Sequence, residues 1–193
     1  MVKVGFTGAH GVGKSTLCRE LAHSLARAGL TVEVTPEIPR QIVEETGDPS
    51  FFRRGENTII RQLCIITRQI VVEMSAAGVD VLLCDRTLLD HWCYTIALHG
   101  NLGDSRGRRV WGNTVQAYLT GYDMVFYVPV EFPVLDDGVR EDDSKFQREI
   151  DDVLRTQLES MGVLYDVVRG SVAERVTYCE ARIVPMAKAA NGT

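Results

Sequence analysis

Apolar positions along this chain fall into two rhythms. Val2 to Thr7 (VKVGFT) is a short β-rich run, followed by a glycine-rich stretch and then by Ser15 to Arg27, where Leu17, Leu21 and Leu25 recur at helical spacing. That order predicts strand, loop, helix. Gly29 stands where the helix would stop, and Thr31 to Thr35 (TVEVT) supplies a second strand ending at Pro36.

From about Glu56 to Ala77 the residues Ile59, Ile60, Leu63, Ile66, Ile70 and Met74 recur at three- and four-residue steps, predicting a helix of several turns that ends near Gly78. The run VDVLLCD (79–85) is then almost continuously apolar and ends in an acid. Unbroken apolar runs suit strands covered on both faces, as in a parallel sheet between helices. DMVFYVPV (123–130) and VLYDVV (163–168) read the same way. Five strands alternating with helical segments predict a doubly wound α/β fold, in which ligands bind beyond the carboxyl ends of the strands.

The length of 193 residues fits one domain spanning 1–193. Val134 to Phe146 (VLDDGVREDDSKF) is polar, acidic and without apolar period, so a mobile lid loop is expected at about 134–146. A short frayed tail is expected at Lys188 to Thr193.

A 45% hydrophobic and 24% charged composition belongs to a globular chain and argues against disorder. The net charge of -5 disfavours a partner held through many backbone phosphates, so no extended nucleic-acid interface is expected. No window approaches the roughly 18 uninterrupted apolar residues of a membrane span, and no signal pattern opens the chain, so a cytoplasmic location without a membrane role is expected. The cysteines Cys18, Cys64, Cys84, Cys93 and Cys179 are odd in number and lack a C-x-x-C pair. They read as reduced, mostly core-filling thiols.

GAHGVGKST fits G-x-x-x-x-G-K-[ST] with Gly8, Gly13, Lys14 and Ser15 at the defining positions and Thr16 just beyond. A strand before and a helix after give the context that the pattern requires. Such glycines let the backbone N–H groups of Gly8 to Thr16, including those of His10, Gly11 and Val12, turn toward phosphates beside the positive end of a helix dipole. Lys14 would supply charge at the outer phosphates of ATP or GTP, and the Ser15 hydroxyl would ligate Mg²⁺.

Asp85 ends the third strand and Arg86 follows it in LLCDRTLLD. The acid suits a Mg²⁺ partner; a helix cap is the other reading. Arg86 offers a fork of donors to the acceptor or to the transferring phosphoryl group. Glu37 follows the second strand in TVEVTPEIPR, placed either to take the proton of an attacking hydroxyl or merely to favour a helix dipole. Arg140 stands in the expected lid as either a charge-neutralising cation or a solvated ion-pair partner, and Arg148 follows it on a helix. His10 occupies a tolerant position of the phosphate loop. His91 either lines an acceptor pocket or packs in the core. Phe51, Phe52, Trp92, Tyr94 and Trp111 are core candidates first and stacking surfaces second. Glu37, Arg40, Arg54, Gln62, Arg86 and His91 are the candidates for acceptor choice.

The phosphate loop, PEIPR after the second strand, LLCDRTLLD after the third, and DDGVRED followed by FQREIDDVL together resemble one group of small P-loop kinases. That group includes nicotinamide riboside kinase domains, eukaryotic relatives that bind GTP and phosphoinositides, and phage kinases of 5-hydroxymethyluracil in DNA. The resemblance runs from residue 2 to about 183. It implies a P-loop parallel sheet in the order 2-3-1-4-5, Asp85 and Arg86 at the phosphoryl acceptor, Arg140 in the lid, and Gly170 and Ser171 near the nucleotide base. A more distant similarity to deoxynucleoside kinases implies Glu37 as the base. Those kinases carry several lid arginines, whereas only Arg140 stands inside this lid.

The chain therefore reads as a Mg²⁺-dependent phosphotransferase in which Glu37 or Asp85 orients or deprotonates a nucleoside-like acceptor, a nucleoside, a nucleotide or a hydroxymethylated base in DNA, and Lys14 and Arg140 stabilise charge. The second reading is a nucleotide-dependent switch, or a lipid- or partner-binding NTPase.

Overall fold

Five strands, β1 (Val2–Thr7), β2 (Val32–Val34), β3 (Val81–Asp85), β4 (Met124–Tyr127) and β5 (Asp166–Val167), form one sheet in the order β2-β3-β1-β4-β5. Every pairing is parallel, with Val4 opposite Leu83 on one side and Met124 on the other. The computed structural model describes residues 1–48, 59–99, 106–131 and 141–192, and at 106–108 and 141–143 the backbone alone.

Alternation along the strands divides the interior. Val2, Val4, Phe6, Val81, Leu83, Phe126 and Val128 face a layer built from α1 (Lys14–Arg27) and α7 (Val172–Ala190). Leu82, Cys84, Val125 and Tyr127 face the opposite layer of α4 (Leu88–His99), α5 (Arg106–Leu119) and α6 (Glu141–Ser160). Coverage of both faces is why the strands carry apolar residues at successive positions. Helices α2 (Ile38–Thr46) and α3 (Ile59–Ser75) complete the fold beside β2 and β3, packing together through Ile38, Ile42 and Ile65.

Four expectations are corrected. Residues 141–146 of the expected lid are the first turns of α6, while 132–140 lie outside the described residues. The expected tail is helical through Ala190, and the Asn191 side chain donates to Asp80 Oδ1 at 2.7 Å. VLYDVV contributes only a two-residue edge strand: Leu164 is 92% exposed, because Val163 still closes the end of α6 by donating to Leu158 O at 3.1 Å. On α3 the apolar period faces both ways. Ile66 is buried, but Ile59, Ile60, Leu63 and Met74 are exposed, and the polar Gln62, Gln69 and Glu73 are buried in their place.

Cys18, Cys84, Cys93 and Cys179 are buried free thiols, and Cys64 is exposed. No helix among the described residues is long and apolar enough to cross a membrane.

Candidate active site

The carboxyl ends of β1, β2 and β3 meet at one edge of the sheet. β1 leads directly into the glycine-rich loop, and α1 begins at Lys14. Gly8 is required by a close approach: a Cβ there would stand 2.4 Å from Val128 O. Gly13 caps the helix at φ 89, a left-handed conformation that disfavours other residues. The loop thereby reaches the helix N-terminus with Gly11 and Gly13 exposed and Val12 half-buried, the arrangement that suits an anion.

Lys14 is buried, and its Nζ donates to Gly8 O and Ala9 O, both at 2.6 Å. Desolvation, and then the charge of Arg86, pull its pKa from 10.5 down to about 8 against the opposing pull of Asp90, Asp85 and Glu37. A cation so held gains from a phosphate counter-charge. Ser15 is exposed and Thr16 half-buried in the first turn of α1.

Asp85 closes β3, paired with Phe6 of β1, and its backbone N–H donates to Thr35 Oγ1 at 3.1 Å. Burial raises its carboxyl pKa, while Ser15, Lys14 and Arg86 oppose the rise. Its Oδ1 is buried with no hydrogen-bond partner among the described residues. A bare carboxylate oxygen beside a serine hydroxyl is a hard-oxygen donor set, which fits Mg²⁺, an ion that takes few protein ligands when phosphates and waters supply the rest. The helix cap belongs elsewhere. Thr87 N–H and Oγ1 donate to Asp90 Oδ2 at 2.8 and 3.0 Å, leaving Asp85 out of the capping.

Arg86 follows with φ 94, the only positive φ outside glycine among the described residues. Its Nη2 and Nε donate to Glu37 Oε1 at 3.0 and 3.3 Å, and its guanidinium lies 5.6 Å from the Tyr94 ring centroid. Burial works against its charge, but Tyr94, Asp90 and Glu37 outweigh that and raise its pKa. Glu37 stands at the N-cap of α2 without a side-chain capping bond, its carboxylate turned to Arg86 instead. Burial pushes Glu37 up, yet Arg86, Arg40 and Lys14 together hold it below the usual carboxylate value. The structure thus joins Lys14, Glu37, Asp85 and Arg86 in one electrostatic cluster.

Arg40 and His91 adjoin this cluster. Arg40 is largely exposed, 3.5 Å from Glu37 Oε2. Gln62 is buried on α3, with Oε1 lacking a partner among the described residues. His91 is buried; desolvation, then the Arg86 charge, lower its pKa to about 3, so it is neutral. Its Nε2 has no partner among the described residues. Gly170 N–H donates to Glu131 Oε2 at 2.9 Å, and Ser171 is consumed in a capping box with Glu174. Trp92 is core, packed on Trp111 at 5.6 Å, and Arg148 is exposed on α6. Phe51, Phe52, Arg54 and Arg140 lie outside the described residues.

Several contacts around the loop were not expected. Asp90 Oδ1 accepts from Gly8 N–H at 3.1 Å, locking the start of the loop to α4. The Tyr94 hydroxyl accepts from His10 N–H at 3.1 Å and lies 2.8 Å from His10 Nδ1, and Gln147 of α6 donates to His10 O at 2.6 Å. Arg175 of α7 bridges Val12 O at 2.8 Å and Glu131 Oε2 at 2.7 Å. Only Asp90 left a local trace, as the third residue after Thr87 in a capping-box spacing. The rest join residues distant in sequence.

A family profile described as AAA domain matches residues 3–175, and the chain belongs to that family. No curated protein sequence matches it. Among solved structures, deoxyadenosine kinase from M. mycoides with bound dATP aligns over 95% of this chain and 100% of its own, at 17% identity and a TM-score of 0.64. NadR protein in complex with NAD and AMP-PNP aligns over 93% of this chain at 16% identity and a TM-score of 0.65. The chain spans 48% of that protein's length. Thymidylate kinase from Ehrlichia chaffeensis aligns over 93% of this chain and 97% of its own, at 17% identity and a TM-score of 0.62. The fold is that of the P-loop kinases.

Proposed function

We propose that the chain is a single-domain, Mg²⁺-dependent P-loop kinase that transfers the γ-phosphoryl of ATP or GTP to a hydroxyl of a nucleoside-like acceptor. The observation that carries this reading is the cluster of Lys14, Asp85 and the Arg86–Glu37 pair at adjacent strand ends. A phosphate loop alone binds a triphosphate. A second, acid-and-arginine site beside it gives the phosphoryl group somewhere to go.

In this reading the loop N–H groups and Lys14 hold the β and γ phosphates. Ser15 and Asp85 hold Mg²⁺, which neutralises charge on the phosphates when bound. Glu37, ionised and oriented by Arg86, takes the acceptor hydroxyl proton as the acceptor oxygen bonds to Pγ and the bond from Pγ to the β,γ-bridging oxygen breaks, releasing ADP or GDP. Arg86, with Arg140, stabilises the charge on the group in flight. Arg40, Arg54, Gln62 and His91 are read as the acceptor side, and Gly170 and Ser171 as the nucleotide-base side. The neighbours named for nucleosides and nucleotides support an acceptor of that class, and the resemblance to 5-hydroxymethyluracil DNA kinases extends it to a modified base in DNA.

The test is incubation of the purified protein with γ-labelled ATP or GTP and Mg²⁺ against nucleosides, nucleotides and hydroxymethyluracil-containing DNA. Label on an acceptor in one of these classes is expected. Hydrolysis without transfer to any of them would favour the switch reading and overturn this one.

A further inference from the structure

Arg86 holds a left-handed backbone, φ 94, which a side-chain-bearing residue keeps only where its surroundings impose it. Two backbone contacts do so. Arg86 N–H donates to Phe6 O at 3.2 Å, and Arg86 O accepts from Gln69 Nε2 at 3.2 Å. Gln69 lies on α3 and is fully buried.

Gln69 is itself clamped. The same Nε2 donates to Glu73 Oε1 at 2.6 Å, so its amide faces two acceptors and has one workable orientation. That orientation leaves Gln69 Oε1 buried with no partner among the described residues, a desolvation cost accepted for the double donation. Glu73 is also buried. Lys3 Nζ lies 2.6 Å from its Oε2, Tyr118 donates to Oε2 at 3.1 Å, and Tyr122 donates to Oε1 and Oε2 at 2.8 and 3.0 Å. Lys3 Nζ sits 4.3 Å from both tyrosine ring centroids. A buried ion pair satisfied on both oxygens is rigid, because displacing either partner strands a charge. β1, α3 and α5 therefore all brace one amide nitrogen.

We propose that Gln69, fixed by Glu73, is the positioning residue that sets the strained backbone of Arg86 and so aims its guanidinium at Glu37 and the acceptor. This rests on the kinase reading above, which puts Arg86 at the transfer site.

Gln69→Leu keeps the bulk and removes the donor, while Glu73 retains Lys3 and two tyrosines. Kinetics with an acceptor that the wild type phosphorylates should show acceptor kcat/KM lowered about tenfold, the effect of one hydrogen bond, with the nucleotide Kd unchanged. In an Arg86→Lys background, Gln69→Leu should add little, since it acts through the residue already altered. Additive losses, or nucleotide affinity falling in parallel, would overturn the proposal. If Gln69→Leu does not fold, Gln69→Met takes its place in the same cycle. A crystal structure of the variant is the second readout. Arg86 should leave the left-handed region, and an unchanged φ would overturn the proposal. Should the wild type transfer to no acceptor, the kinase reading fails, and this structural readout still judges the positioning.

Discussion

Arg86 and Glu37 are joined by two hydrogen bonds to one carboxylate oxygen, from Nη2 at 3.0 Å and Nε at 3.3 Å, although 49 residues separate them in the chain. The pair keeps Glu37 ionised in a half-buried site and leaves Oε2 facing Arg40 at the more open side. An ionised, oriented carboxylate is what a base for an attacking hydroxyl requires.

Glu37→Gln should therefore lower kcat for transfer at least about a hundredfold while leaving the nucleotide Kd within a few-fold of wild type. Initial rates together with nucleotide titration check it. Because Arg86, Arg40 and Lys14 hold Glu37 below the usual carboxylate value of 4.5, its own acid limb in kcat/KM should lie below about pH 4.5, and any limb between there and neutrality belongs to Asp85, whose carboxyl burial raises. His91 is neutral throughout that range, so His91→Gln should leave the shape of the profile unchanged.

Lys14→Met should abolish nucleotide binding and change the free protein's stability little at neutral pH, since relief of the buried charge offsets the lost hydrogen bonds to Gly8 O and Ala9 O. Burial has lowered the lysine pKa from 10.5 to about 8, so at neutral pH the charge opposes folding by about 3 kcal/mol. Between those values the unfolded chain binds more protons than the folded one, so stability from this group rises with pH from about 8 to 10.5. Denaturant melts across that range should show wild-type stability rising relative to Lys14→Met as pH rises.

Asp85→Asn should reduce metal-dependent transfer by about a hundredfold or more. Its raised pKa means that the folded state prefers the protonated acid, so stability from Asp85 is present below the unfolded value and lost as pH rises through the folded one. The neutral amide should leave the neutral-pH Tm equal to or above that of wild type. Thermal melts without nucleotide, read beside Mg²⁺ titrations of activity, separate the two effects.

Arg175→Ala should raise the nucleotide Kd about tenfold and cost about 1–3 kcal/mol of stability, because it leaves the carbonyl of half-buried Val12 without its donor and removes the main cation beside Glu131. Val12 belongs to the phosphate loop itself, so the loss should fall on nucleotide KM more than on kcat. Steady-state kinetics with nucleotide varied at fixed acceptor checks this.

What was legible in the sequence was what depends on neighbours in the chain. The phosphate loop is written in Gly8, Gly13, Lys14 and Ser15 because a tight turn, a helix start and a charge are needed within a few residues. The central strands are written in unbroken apolar runs because a parallel sheet covered on both sides asks for nothing else. Asp85 and Arg86 could be placed at a strand end for the same reason. Tertiary structure decided the remainder. The apolar period of α3 could not say that Ile60 and Met74 would be exposed while Gln69 and Glu73 were buried, since Lys3, Tyr118 and Tyr122, which make Glu73 tolerable inside, lie 45 or more residues away. Nor could it show Arg175 touching Val12 across 163 residues, or Arg86 in a left-handed turn held by an amide from α3. Periodicity reports that a face is covered, but only the packed fold fixes which charges meet and which backbone is held under strain.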